Sequence, residues 1–465
     1  MPYVDLHCAD DYASIFYTTN TPHGNVGGFD PRKPSIIILH PLFLDSTWLH
    51  LQFGDPRLTS NYNLIAFDMR VAGKSVARLS AHHDSWVDAA DLAFCHQALH
   101  LPPCHILALD GISVNCALRF AVLFPEMCLS LTLCNVPAPT ELKWVVTAYD
   151  ELMHNWCSAE DLEAYEHVAK EAVTFVVGPQ CEADLQDDLI AYWEITMPPQ
   201  KIAPVVETLC VLMHRQPVPP QALATITQPV LLIQGQMNET CPKINAEKLA
   251  AELTNAQGGA VIYSVKGGAG NLSIVPGHAS IMNKVFATFL SRQPHQRSEL
   301  VPPETDKIER MKTALAALAE IIGDSSIASR DPTSSLSFSC LPHDACRRQT
   351  EILNKYRDRK TGTFTPVGPD GRPVRRYSDR KAGHWFHGEK DGLSIAGNTF
   401  LPPEKKNYDR DRSEKPSSSQ ESAPDQRLRR GTVTASTVQK QVIKGSMAKV
   451  VSTAPAAGHL HRLVA

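Results

Sequence analysis

The sequence has 465 residues, which is long enough for two domains of ordinary size. Apolar residues make up 43% of it and charged residues 20%, which excludes a wholly disordered or collagen-like chain. No stretch of about 18 apolar residues is free of charges, proline and glutamine, so we expect no membrane-spanning helix. Acidic residues occupy the N-terminus where a secretory signal needs basic ones, and we therefore expect a cytoplasmic protein.

Charge is distributed unevenly along the chain. Residues 1–290 contain 15 Lys and Arg against 29 Asp and Glu, a net charge of −14, whereas the rest of the chain has a net charge of +10. This pattern predicts an acidic folded body and a basic tail, and the tail could contact the body or a partner. Acidic residues are interleaved with the tail's arginines, so we do not expect a nucleic-acid partner.

The 12 cysteines are scattered and form no Cys-x-x-Cys pair. Cys340 and Cys346 flank His343, but this group has too few ligands and too loose a spacing for zinc. We therefore expect reduced, mostly buried thiols, with neither a metal nor a cofactor.

Continuous apolar runs and amphipathic runs alternate in the first 290 residues. The apolar runs predict six buried strands, over residues 35–40, 62–67, 105–109, 129–134, 230–234 and 260–265. The amphipathic runs predict helices between most of them, over residues 85–100, 115–124, 243–252 and 281–290. This alternation predicts an α/β fold whose mostly parallel sheet is sandwiched by helices.

The domain organisation follows from shifts in this pattern. Residues 141–215 have helical spacing and no good strand, which predicts a helical insertion into a core formed by residues 1–140 and 216–292. Residues 293–330 are predicted to be a linker with one amphipathic helix over 307–322. Residues 331–465 are rich in Ser, Pro, Arg and Lys, and we expect a basic, mostly disordered tail there.

Four short sequence motifs occur over residues 1–292 in the order and at the spacing that are typical of one protein superfamily. They are His40-Pro41-Leu42-Phe43, the Asp68-x-Arg70-x-x-Gly73-x-Ser75 motif, Phe120-Ala121 with Pro125-Glu126, and Gly235 with Pro242. In this order they resemble the α/β-hydrolase superfamily. The resemblance implies that residues 141–215 form a cap over a pocket for a small apolar molecule. It also implies that the chain is a hydrolase of a small ester- or epoxide-like substrate.

The nucleophile of that family follows a strand in a Gly-x-Ser-x-Gly turn. Counting forward from Leu99 puts the family's nucleophile position at Asp110, whereas counting back from Pro125 puts it at Gly111, which has no nucleophilic side chain. Ser113 is a third alternative in a shifted register, although it lies two to three residues beyond the turn, where the chain enters the following helix. The resemblance assigns the oxyanion-hole amides to the backbones of Leu42 and Gly111.

The other two catalytic positions are also substituted. The family's acid falls at Asn238, with Glu239 beside it, and Glu141 is an alternative acid after the preceding strand. The family's base falls at Asn271, and the nearest histidine is His278, seven residues further along the chain. An amide orients an imidazole but does not stabilise an imidazolium as a carboxylate does.

These substitutions leave three functions open. A hydrolase could use Asp110, or a shifted Ser113 with His278, because a carboxylate attacks an epoxide without a base. Its ester would then accumulate, since Asn271 cannot activate water. The alternatives are a catalytically silent protein that binds a small ligand, and a scaffold whose tail recruits a partner. The sequence does not decide whether the chain is an enzyme.

Overall fold

The computed structural model describes residues 2–302, 305–357 and 364–380. The part of the predicted tail from residue 381 onward lies outside the described residues. Among the residues described, no helix is long and apolar enough to cross a membrane.

A mixed sheet of nine strands forms the centre of the fold, and most of its pairs are parallel. The strands are β1 Tyr3–His7, β2 Tyr12–Thr19, β3 Ser35–Leu39, β4 Asn63–Phe67, β5 Val76–Ala77, β6 Cys104–Ala108, β7 Cys128–Cys134, β8 Val230–Gly235 and β9 Val261–Val265. Their order is β1-β2-β4-β3-β6-β7-β8-β9, with β5 paired to β2. The pairs that β2 forms are antiparallel, and β3, β4 and β6 to β9 are parallel. The predicted parallel sheet between helices is confirmed.

Thirteen α-helices are present in the described part of the chain. They are α1 His50–Phe53, α2 Pro56–Thr59, α3 Ser85–Ala98, α4 Gly111–Leu123, α5 Lys143–Cys157, α6 Leu162–Val176, α7 Ala183–Thr196, α8 Ile202–Met213, α9 Pro220–Leu223, α10 Lys243–Glu252, α11 Pro276–Leu290, α12 Lys307–Ile322 and α13 His343–Arg357. The six predicted strands and the helix predicted over residues 307–322 are found within one residue of their predicted ends.

Alternate residues of each parallel strand pack on opposite faces of the sheet. Ile37 and Leu39 of β3 belong to a core on the side of α3, α4 and α12, whereas Ile36 and Ile38 belong to a core on the side of α11. Successive side chains of a strand point to opposite faces, so a strand covered by helices on both sides has to be apolar throughout. This explains why β3 is a continuous apolar run.

Two helices begin earlier than the sequence indicated. Helix α4 begins at Gly111 and not near residue 115, because the Asp110 side chain caps it and accepts from the Gly111 N–H. Helix α11 begins at Pro276 and not near residue 281, and proline is well suited to the first turn because that turn needs no N–H donor. Both starts bring predicted site residues into or next to a first helical turn.

The predicted helical insertion between β7 and β8 consists of α5, α6, α7 and α8. Its centre is aromatic, and the rings of Trp156 and Trp193 lie 5.6 Å apart. The Trp193 indole N–H also donates to the backbone carbonyl of Phe43 at 2.9 Å, and this bond connects α7 to the loop after β3. The insertion therefore contacts the sheet domain next to the predicted oxyanion-hole backbone.

Part of the predicted tail is folded against this body. Helix α13 packs on α8, and the fully buried Gln349 donates to the carbonyl of Ala81 and bonds to His214. Residues 364–379, called here the C-terminal segment, contact the insertion through Arg375 and Ser378. The described residues beyond 330 are thus ordered by polar contacts that composition alone does not indicate.

Candidate functional site

The Asp-x-Arg-x-x-Gly-x-Ser motif builds the turn after β4 and carries no free reactive group. Both oxygens of Asp68 accept backbone N–H groups, and the Ser75 hydroxyl donates to the Asp68 carbonyl at 2.6 Å. The Arg70 guanidinium is buried and bonded to the carboxylates of Asp11 and Asp91 at 2.7–2.8 Å. This motif is therefore structural, and it fixes one wall of the pocket described next.

A large pocket of about 610 Å³ lies between this turn, the loop after β3 and the helical insertion. Its size falls in the usual range for small-molecule sites, which are mostly apolar with a few polar groups. Most of its lining is apolar, including Leu42, Phe43, Met69, Ile112, Ile195 and Val205. The polar lining residues that bear on catalysis are His40, His83, Asp88 and Ser113.

Both ring nitrogens of His40 are engaged by the backbone. Its Nε2 accepts from the Met69 N–H at 3.0 Å, which assigns the proton to Nδ1, and Nδ1 lies 2.9 Å from the Pro41 carbonyl. The imidazole is buried, and no ring nitrogen is left to take a proton from a substrate or a nucleophile. His40 therefore supports the loop after β3 and is not a free general base.

His83 is held between two buried carboxylates. Its Nε2 lies 2.8 Å from Asp88, and its Nδ1 lies 2.8 Å from Glu207 of α8. Burial lowers its pKa, but the two carboxylates outweigh burial and raise the pKa to about 10, so the ring is an imidazolium at neutral pH. A doubly hydrogen-bonded imidazolium cannot act as a base. It joins the sheet domain to the insertion instead.

Ser113 lies in the first turn of α4, and its side chain is buried. Its hydroxyl donates to the backbone carbonyl of His40. An activated serine instead needs a base that accepts its proton. The hydroxyl proton is thus committed to a carbonyl that cannot activate it.

The other predicted catalytic positions meet in a second, much smaller pocket of about 40 Å³. Asp110, Asn238 and Asn271 all line it, together with Leu42 and Gly111. This volume is enough for one or two water molecules and too small for an ester substrate. Within the part of the chain that the structure describes, no histidine lines this pocket.

Asp110 is the only one of the three nucleophile candidates whose side chain faces this small pocket. Burial raises the pKa of its carboxyl group to about 6, although the N–H groups of Gly111 and Leu42 lower it. The nearby charge of Glu141 raises it further. The two predicted oxyanion-hole amides thus stabilise the carboxylate of Asp110 itself.

The two asparagines hold their own loops. Asn238 accepts from the backbone N–H of Cys241 at 2.8 Å and from the Thr240 hydroxyl. Asn271 accepts from the backbone N–H and the hydroxyl of Ser273 at 2.9 and 2.7 Å, and its own amide nitrogen has no hydrogen-bond partner among the described residues. These are the local turn contacts that asparagine commonly makes.

The remaining candidates lie away from both pockets or are already paired. His278 and Glu239 line neither pocket, and His278 stands in the first turn of α11 near Gly267. Glu141 lines the small pocket, but it forms a buried ion pair with Arg215 at 2.5 Å. The geometry does not bring His278 together with Asp110 or Ser113 in either pocket.

Sequence reasoning missed His83, Glu207 and Arg215. Glu207 lies 124 residues from His83, and Arg215 lies 74 residues from Glu141, so no local spacing indicates either pair. The sequence contains one weak signal for these contacts. Glu207 and Arg215 both lie in the helical insertion, and Glu207 is the single acidic residue of the apolar helix α8. Such a residue, buried in an apolar helix, needs a partner.

Comparisons with known proteins show where the fold has been seen before. No protein-family model matches this sequence, and no curated protein matches it. An α/β-hydrolase enzyme from a Medee basin deep-sea metagenome library superposes with a TM-score of 0.51 and 17% identity, over 63% of this chain and 98% of that one. The esterase EaEST from Exiguobacterium antarcticum superposes with a TM-score of 0.50 and 14% identity, over 62% and 99%. This chain has the α/β-hydrolase fold.

The α/β-hydrolase fold allows the turn between β6 and α4 to be judged against the nucleophile turn of that fold. A nucleophile elbow is sharp and strained. Asp110 has φ −166° and ψ 173°, which is ordinary extended backbone that caps a helix. The residues with positive φ other than glycine are Phe43, Val71, His100 and Asn135 among those described. The strained geometry of the elbow is therefore not found at Asp110, Gly111 or Ser113.

Proposed function

We propose that this α/β-hydrolase-fold protein binds a small, mainly apolar molecule in the large pocket and does not hydrolyse it. The main support for this proposal is that His40 and His83, the two histidines among the described residues that line this pocket, have all four ring nitrogens hydrogen-bonded. Hydrolysis needs a base that can receive a proton within hydrogen-bond reach of the nucleophile. Neither histidine meets this requirement.

The small pocket supports the same proposal. The backbone amides that would bind an oxyanion in an ester hydrolase stabilise the Asp110 carboxylate instead. The pocket volume of about 40 Å³ also leaves no room for an acyl group. An enzyme that attacks epoxides through Asp110 is the alternative. It needs a base to activate water for the second half-reaction, and Asn271 supplies only an amide. We therefore favour ligand binding over catalysis as the function of this protein.

The test is binding of a neutral apolar fluorophore, N-phenyl-1-naphthylamine. Thr208 of α8 lines the large pocket and is half-buried, so Thr208→Trp fills part of the pocket. Thr313 of α12 is exposed, and its hydroxyl donates to the carbonyl four residues back, as that of Thr208 does. Thr313→Trp is therefore a matched control for both the added indole and the lost hydrogen bond.

The wild-type protein and Thr313→Trp should give the same saturable rise in fluorescence, and Thr208→Trp should bind at least about tenfold more weakly. A loss of about 1.4 kcal/mol of binding free energy corresponds to that tenfold change. Equal binding by all three proteins, or no saturable binding by the wild type, would refute the proposal. Circular dichroism and thermal melts establish that both variants are folded.

A further inference from the structure

The C-terminal segment is attached to the helical insertion by a compact set of polar contacts. The Arg375 guanidinium forms two hydrogen bonds to Glu166 of α6, at 3.0 and 2.7 Å, and the Glu166 side chain is fully buried. Ser378 donates to Asp187 of α7 twice, from its backbone N–H at 3.0 Å and from its hydroxyl at 2.6 Å. Helices α6 and α7 of the insertion are thus both bonded to a piece of chain only a few residues long.

At this interface, Arg375 supplies positive charge that offsets the carboxyl groups of the helical insertion. Glu194 lies near Glu166, and burial followed by the charge of Glu166 raises the pKa of Glu194 to about 8, while Arg375 lowers it. Asp187 belongs to the same helix, α7. Any further negative charge at Ser378 would therefore lie directly beside the Asp187 carboxylate.

Ser378 is exposed and follows two consecutive arginines, Arg375 and Arg376, with one residue between. Arginines placed two and three residues before a serine form a charge pattern of the kind by which a protein kinase selects its substrates. We propose that Ser378 is a phosphorylation site for an arginine-directed serine kinase. Phosphorylation there releases the C-terminal segment from the helical insertion.

The chemical step is a phosphoryl transfer from ATP. The Ser378 oxygen forms a bond to the γ-phosphorus, and the bond from that phosphorus to the oxygen bridging to ADP breaks. The hydroxyl proton passes to the catalytic base of the kinase, and ADP leaves. The product loses the hydroxyl donor that bonds Asp187 and gains a group with a charge of about −1.5 to −2 beside that carboxylate.

Release follows from this change because phosphorylation weakens both contacts that attach the segment, the one with Asp187 and the one with Glu166. The phosphate repels Asp187, and it also competes with Glu166 for the Arg375 guanidinium, since arginine forms strong bidentate pairs with phosphate. Phosphorylation requires the arginines to be accessible, so the kinase acts on the minor population in which the segment is detached. The modification then prevents reattachment.

The chain contains a matched internal control. Arg347 and Arg348 precede Thr350 with the spacing that Arg375 and Arg376 have before Ser378. Thr350 is also exposed, but it lies inside helix α13, and its hydroxyl donates to the carbonyl of Cys346. Presenting Thr350 to a kinase would require α13 to unwind, so we expect Ser378 to be modified and Thr350 to remain unmodified.

The experiment uses the full chain, magnesium ATP and a purified arginine-directed serine kinase, chosen for activity on a synthetic peptide of residues 370–380. Mass spectrometry of proteolytic fragments locates the phosphate. Hydrogen exchange of residues 364–379 measures attachment. We expect phosphate at Ser378, none at Thr350, and at least about tenfold faster exchange in the C-terminal segment after phosphorylation. Ser378→Ala should lose the phosphate at this site and keep the slow exchange.

Asp187→Asn separates repulsion from a general loosening of the segment. Its single side-chain oxygen can still accept from the Ser378 N–H, but the side chain no longer carries the charge that repels a phosphate. Phosphorylated Asp187→Asn should therefore exchange more slowly in residues 364–379 than the phosphorylated wild type. The proposal is overturned if the kinase modifies the peptide and leaves Ser378 of the full chain unmodified. It is also overturned if phosphorylated Ser378 leaves exchange unchanged.

Discussion

The backbone N–H of Gly111 donates a hydrogen bond to Oδ1 of Asp110 at 2.7 Å. Leu42, on the loop after β3, supplies a second backbone N–H that stabilises the same carboxylate. In an ester hydrolase two such amides are kept free for the oxygen on which charge develops in the transition state. Here both amides stabilise the carboxylate of Asp110, so the protein itself uses these donors before any substrate binds.

Asp110→Asn should stabilise the protein at neutral pH. Burial raises the folded-state pKa of Asp110 to about 6, above the value of about 3.9 expected in the unfolded chain. Its contribution to stability is therefore complete below about pH 4 and is lost as the pH rises through 6. Asparagine stays neutral throughout, and we expect a gain of about 1 to 3 kcal/mol in the free energy of unfolding at pH 7.5.

Urea unfolding of both proteins at pH 4 and pH 7.5 measures this difference. At pH 4 Asp110 is protonated in the folded protein and about half protonated in the unfolded chain, so most of the difference between the two curves should vanish there. A variant that is less stable than the wild type at pH 7.5 would show that the charged carboxylate is required by the fold.

His83→Gln should destabilise the protein most at low pH. The folded-state pKa of His83 is about 10, above the unfolded value of about 6.5, so its contribution to stability is complete below 6.5 and is lost as the pH rises through 10. Removing the imidazolium leaves Asp88 and Glu207 buried without their cation. We expect a loss of about 3 to 5 kcal/mol at pH 6 that becomes smaller towards pH 10.

His96→Gln is the control for this measurement. His96 is also buried, but burial lowers its pKa to about 4, and its Nε2 bonds the Pro102 carbonyl. Since His96 is neutral in the folded protein from pH 6 to 10, its replacement should cost little more at one end of that range than at the other. A His83→Gln cost that is equally flat with pH would contradict the imidazolium assignment.

A reactive epoxide should not alkylate Asp110. Its carboxylate accepts from the Gly111 N–H, faces a pocket of about 40 Å³ and is partly protonated near neutral pH. Intact-protein mass spectrometry after incubation with a small epoxide should show no adduct that Asp110→Asn lacks. An adduct mapped to Asp110 would favour the alternative of an aspartate nucleophile whose ester accumulates.

Much of the fold could be predicted because buried parallel strands have a simple pattern. Ser35–Leu39 and Val230–Gly235 are apolar on both faces, and such runs stand out in any sequence. The N-terminal strands Tyr3–His7 and Tyr12–Thr19 were not predicted, since they pair antiparallel at one side of the sheet and mix polar with apolar residues. The apolar pattern places the start of α4 about four residues too late, because the helix begins at its cap, Asp110, and its first turn contains Gly111 and Ser113.

The candidate site was partly predictable. The family spacing assigns Asp110, Asn238 and Asn271 to the three catalytic positions, and one small pocket of the structure is lined by all three residues. It could not indicate that His83 joins Asp88 to Glu207, because that contact depends on how the helical insertion packs. Nor could the composition of the predicted tail reveal the pairing of Arg375 with Glu166, which is set by the position of the buried Glu166 carboxylate in the helical insertion.

The hydrolysis of a short-chain p-nitrophenyl ester tests whether this α/β-hydrolase-fold protein lacks esterase activity, as we propose. The wild type, Asp110→Ala and Ser113→Ala should all release p-nitrophenol at the same slow rate, since among the described residues no histidine with a free ring nitrogen lines either pocket. Enzymatic release by the wild type that disappears in Ser113→Ala or Asp110→Ala would contradict the account.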